Sequence, residues 1–174
     1  MADAPASGAG GGDPVEVQVL SAAPSQGFVP GRRSFVSAFN DFCELLDNED
    51  FHYTVEKEDT DRPTIRFGQK VGGVNVTVLL IFKNDYVKVY VYGMASITEE
   101  AKKAECLQLV NELNREYNFF KFYIDDDDDV IVESDVHLDI TDGEFQPMNL
   151  MGVLAAGIKI IEDVCPRIMK LIWS

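Results

Sequence analysis

VNELNREYNFFKFYIDDDDDVIVESDVHLD, residues 110–139, decides how the chain folds. Its first part places apolar side chains at helical spacing. Its second part is aromatic and β-favouring, and its last part alternates apolar with polar residues, as a strand with one face covered does. Between the two strands lie Asp125, Asp126, Asp127, Asp128 and Asp129, a turn made wholly of acid. The pattern predicts a helix end, a strand, a tight acidic turn and a return strand. On the return strand Val130, Val132, Val136, Leu138 and Ile140 are expected on the core side, with Ile131, Glu133, Asp135, His137 and Asp139 on the other.

Upstream, the sequence prepares a sheet for this unit to join. Val74, Val76, Val78, Leu80 and Phe82 alternate along one predicted strand, and Val87, Val89 and Val91 along the next, with turn chemistry at Lys83-Asn84-Asp85. The second face of this hairpin carries Leu79, Ile81, Tyr90 and Tyr92, which predicts cover on both sides or an association surface. Two weaker strands, at 52–57 and 64–68, flank the turn-rich DTDRP. Gly72-Gly73 reads as a tight turn.

Three helices complete the pattern. The first begins with Ser34 as N-cap, carries Phe35, Phe39, Phe42 and Leu46 on one face, and ends near Asn48. The second opens on the capping box Ser96-Ile-Thr-Glu99, with Ala101, Ala104, Leu107, Val110, Leu113 and Tyr117 as its buried stripe. The third runs over 148–165 and stops before Pro166. It has few charges and carries Met148 and Met151, with Met169 beyond; so apolar a helix is expected to be covered on two sides or to self-associate. The fold class is therefore α+β, with helices packed on a twisted antiparallel sheet in the order α-β-β-β-β-α-β-β-α. Residues 34–174 are expected to form one domain. Residues 1–33, rich in Ala, Gly and Pro, are expected to form a flexible tail in which only VEVQVL (15–20) has strand alternation.

Charge excludes one broad class of partner. Thirty acidic against fifteen basic residues give a formal charge of −15, which repels nucleic acid. Ten acidic and no basic residues fall between Asp125 and Glu144, so about two thirds of the excess lies there. No apolar run approaches the length of a membrane span, and no basic or apolar leader opens the sequence. Cys43, Cys106 and Cys165 are odd in number, widely spaced and without zinc-type spacing, which points to core thiols in a reducing compartment and to a cytoplasmic protein.

The acidic turn raises a calcium reading, because carboxylate oxygens suit hard cations. It lacks the EF-hand pattern: the sixth position from Asp125 is Val130 where glycine is needed, and the twelfth is Val136 where a bidentate Glu is needed. The bland alternative is a turn whose charge keeps an aromatic strand pair from joining another edge. His137 with Glu133 and Asp135 shares a strand face, but the chain holds just one further histidine, His52, to complete a metal site. Neither a nucleophile elbow nor a phosphate-binding glycine motif occurs, so the sequence assigns no catalytic, cofactor or metal residues.

LVNELN at 109–114, KFYIDDD from Lys121, VIVESDVHL, VLLIFKNDYVKVYV and the last apolar helix with Pro166 together resemble the YbjN-type family of bacterial proteins, labelled sensory transduction regulators. The resemblance covers about residues 34–173. It implies a fold similar to type III secretion chaperones, in which two copies commonly associate and apolar surface receives a client segment, and it implies no active-site residues. The expected function is a non-enzymatic, dimeric protein-binding module of regulator, adaptor or chaperone type with a protein partner of unstated identity. A divalent-cation-responsive protein is the alternative, and a small hydrolase the weaker one.

Overall fold

The computed structural model describes residues 35–58, 60–83, 85–138 and 145–174. Ser34, the 15–20 segment, Asn84, Asp139 and Ile140 lie outside them. The described elements are α1 (Phe35–Asn48), β1 (Thr54–Glu56), β2 (Thr64–Val71), β3 (Val74–Phe82), β4 (Tyr86–Tyr92), α2 (Glu100–Glu116), β5 (Lys121–Ile124), β6 (Val130–His137) and α3 (Pro147–Trp173). Class and element order are those the alternation patterns predict.

The six strands form one antiparallel sheet in the order β1-β2-β3-β4-β6-β5. β6 therefore returns past β5 to pair with β4, and β5 becomes an edge. Alternation fixes the register, because a one-residue slip would exchange the two faces of every strand. Ile65, Phe67, Val76, Val78, Leu80, Phe82, Val87, Val89, Val91, Phe122, Val130 and Val132 all point to one face and are buried. All three helices contribute to this same core: Phe39 and Phe42 of α1 meet Phe82, and Leu113 of α2 and Leu150, Ile161 and Val164 of α3 are fully buried. Ser134 also lies on the core face and is buried, a position the strand pattern passed over.

Local chemistry sets the turns. Gly72 and Gly73 join β2 to β3 with φ of 57° and 91°, a left-handed pair that glycine adopts without a Cβ clash. α1 ends in a Schellman turn in which Asp50 takes the left-handed residue's place at φ 52°. Phe51 N–H donates to the Leu46 carbonyl at 2.9 Å and Asp50 N–H to the Asp47 carbonyl at 3.2 Å.

Three expectations are corrected. Ser96 does not cap α2: the residue before the helix is Glu99, with no side-chain cap, and Ser96 instead forms a bridge to Asp129 and donates its hydroxyl to that carboxylate. The buried stripe of α2 is Cys106, Val110 and Leu113, while Ala101, Ala104 and Leu107 are exposed. With Ser96 held by the acidic turn, the helix starts later and turns a different face inward. α3 is not interrupted at Pro166 but runs on through it to Trp173. Proline at that position has no N–H for the Glu162 carbonyl four residues earlier. That carbonyl faces Gly72 in the β2–β3 turn, where a Cβ would lie 3.8 Å from it. The buried Val164, Cys165 and Ile168 hold the helix to the core on either side of the proline.

Candidate protein-binding surfaces

The acidic turn is built as a structural cap. One Asp125 carboxylate oxygen accepts from the backbone N–H of Asp127 at 3.0 Å and of Asp129 at 2.9 Å. Asp128, left-handed at φ 61°, ion-pairs with Lys103 of α2. Asp129 is taken by Ser96, and Val130 N–H donates to the Ala95 carbonyl at 2.9 Å. Three of the five carboxylates are thus spent on the turn and on the segment leading into α2, and Asp126 and Asp127 remain exposed. Among the described residues no three His, Cys, Asp or Glu side chains are grouped to hold a metal ion. This leaves the cation reading without a built site.

The Glu133, Asp135 and His137 face of β6 is engaged in the same way. Lys88 on β4 reaches Glu133 at 3.4 Å and Asp135 at 3.3 Å. Burial alone would lower the Lys88 pKa, but the neighbouring carboxylates and the Tyr90 hydroxyl outweigh it and raise it. His137 sits opposite Tyr86 in the ladder. Cys106 and Cys165 are buried and Cys43 is half-buried, and burial pushes each thiol above its ordinary pKa, which disfavours the thiolate.

Two apolar surfaces remain. The first is a groove of about 270 Å³ between the end of α1, β2 and α3, lined by Leu46, Phe51, Phe67, Gln69, Met151, Leu154, Ala155 and Ile158. The Schellman turn places Phe51 there, edge-on to Phe67 with ring centroids 4.9 Å apart. No sequence motif announced this groove, because its walls come from a helix stop, a weak strand and one side of α3.

The second is the sheet face turned away from the helices, which carries Leu79, Ile81, Tyr86, Tyr90, Tyr92 and Tyr123, all half-buried. The hairpin's second face is therefore an available surface, with none of the described helices packed on it. Two of its cations are paired within the chain: Arg66 with Glu56 at 2.8 Å, while also donating to the Tyr92 hydroxyl at 2.6 Å, and Lys88 with both Glu133 and Asp135.

Neither edge of the sheet is open in the same way. β1 has three residues, and β5 is closed at its centre by Asn114 of α2. The Asn114 carboxamide donates to the Phe122 carbonyl at 2.8 Å and accepts from the Phe122 N–H at 2.8 Å, occupying the two groups that an added strand would use.

The described residues thus form a helix-backed antiparallel sheet with two apolar surfaces and ion pairs made within the chain. The family model for YbjN, described as "Putative bacterial sensory transduction regulator", matches residues 40–169. The chain belongs to the YbjN family. No curated protein matches it. No described helix is long and apolar enough to cross a membrane.

Proposed function

We propose that the chain is a non-enzymatic regulator of adaptor or chaperone type, a cytoplasmic homodimer that binds a protein partner through apolar surface. Residues 34–174 form its working domain and residues 1–33 a tail. The observation that carries this reading is the groove between α1, β2 and α3. It combines two aromatic rings with the pliable Met151 and lies on a chain whose acidity keeps it soluble and disfavours acidic partners. Regulator membership supports the same reading.

The test is capture from the native host's lysate with tagged wild type and with Ala155→Arg, which places a charge in the groove from an exposed helical position. A stoichiometric protein partner retained by wild type and lost by the variant, with unchanged circular dichroism, is expected. Equal capture by both proteins would reject the groove. Steady turnover of an ester, phosphate or glycoside panel by the pure protein would reject the non-enzymatic reading.

A further inference from the structure

We propose that the sheet face turned away from the helices is where a second copy of this chain docks, related by a two-fold axis that runs along the strands between β3 and β4. The proposal rests on the dimeric reading above and adds its geometry.

Charge supplies the first argument. Two copies that each carry −15 repel, so they can meet only where the local charge is balanced. The strand residues on this face include four basic ones, Arg66, Lys70, Lys88 and Lys121, against three acidic ones, Glu56, Glu133 and Asp135. The excess of acid lies entirely elsewhere.

Register supplies the second. One row across the sheet reads Arg66, Leu79, Tyr90, Glu133 from β2 to β6. Rotation by half a turn about an in-plane axis between β3 and β4 reverses that row. It lays Arg66 over Glu133 of the second copy and Leu79 over Tyr90 of the second copy, each contact occurring twice, as a closed two-fold interface requires. In the neighbouring row, Thr64, Ile81, Lys88, Asp135, Thr64 is buried within its own chain, and the contact across the axis is Ile81 on the aliphatic stem of Lys88, made twice. Sheets pack face to face about 10 Å apart, a gap that such side chains fill.

Area and topology agree. Strands spaced by about 4.8 Å and rising about 3.3 Å per residue, four of them seven to nine residues long and the edge strands three and four, give a face on the order of 600 Å². Two such faces bury about 1,200 Å², the lower end for a stable interface. With the β1 edge short and the β5 edge closed by Asn114, association by strand addition is blocked and the face is left to carry it.

The experiment uses the full chain, its mass followed by light scattering and sedimentation from about 1 to 200 μM, with circular dichroism to confirm folding. Arg66→Glu and Glu133→Arg, each alone, are expected to weaken the dimer at least about tenfold, because each puts like charges face to face. An equimolar mixture of the two variants is expected to recover wild-type association, since each then meets an opposite charge on the other; rescue in trans excludes damage confined to one chain. A wild-type dimer indifferent to both reversals, or a mixture that fails to recover, overturns this placement and leaves the dimeric reading standing. A wild type that stays monomeric overturns both. Binding of a fluorescent single-stranded oligonucleotide by the monomer, lost in Tyr90→Ala, would assign the face to nucleic acid instead and overturn the proposal.

Discussion

At the scale of single residues, Asn114 and Gly157 do work that their types do not advertise. Asn114 replaces a missing neighbouring strand with one carboxamide, so Asn114→Ala leaves two backbone groups of β5 without a protein partner. The expected cost is about 1 to 3 kcal/mol, with Asn114→Asp close behind because it loses the donor; urea midpoints at unchanged slope would measure it. Gly157 meets the ring of Phe120, which is 2% exposed, and a Cβ there would lie 2.7 Å from two ring atoms. Gly157→Ala is therefore expected to destabilise by about 1 to 3 kcal/mol through overpacking. At exposed Gly152, where a Cβ would have nothing within 4 Å, the same substitution is expected to stabilise by about 0.5 to 1 kcal/mol. Opposite shifts in melting temperature from the same change in one helix would confirm that Phe120 decides the sign. Neither role could be read in advance, since each partner lies far away in sequence or on another element. Asn114 stood inside the LVNELN motif with no visible reason for being asparagine.

Elements whose periodicity was strong emerged as the sequence reads them: the β3–β4 hairpin, the β5–β6 pair and α1. What failed was where helices begin and end. Ser96 and Glu99 have the spacing of a capping box, but a distant carboxylate on Asp129 competes for the same hydroxyl, and local pattern holds no trace of that competitor. Pro166 ordinarily ends a helix, and the buried residues flanking it hold the turn together. The acidic turn permits a sharp distinction. Asp125→Ala removes the acceptor of two backbone N–H groups and is expected to cost about 1 to 2 kcal/mol. Asp126→Ala and Asp127→Ala are expected within about 0.5 kcal/mol of wild type, and calcium at millimolar concentration is expected to leave all of the midpoints unmoved. Between α2 and α3, Arg167 donates to the Glu116 carboxylate at 2.7 Å and holds that carboxyl below its usual pKa. A lowered folded-state pKa contributes stability that is present above the unfolded value of about 4.3 and is lost as pH falls through the folded value. The difference in melting temperature between wild type and Glu116→Gln is thus expected to be steady near neutrality and to close only on acidification below that value.

For the molecule as a whole, the legible part was the fold and the illegible part the use made of it. Alternation fixes which strand faces are apolar, and apolarity on the second face is visible in the sequence at Leu79, Ile81, Tyr90 and Tyr92. That the charges among them are paired within the chain became visible only in the register, because Lys88 meets Glu133 and Asp135 across a gap of more than forty residues. The overall charge also carries a prediction. Near the sequence isoelectric point of about 4.4 the repulsion between copies vanishes, and turbidity measured from pH 7 down to 3 is expected to peak there.

The order of the elements along the chain bears on how the protein is made. α3 follows all six strands, and Leu150, Leu154, Ile161 and Val164 close over a sheet that local hairpins can assemble without them. A ribosome therefore releases the strands some seconds before their lid. During that interval the part of the valine and phenylalanine side that α3 covers is bare, and holding factors or the nascent chain's own acidity would keep it apart from its neighbours.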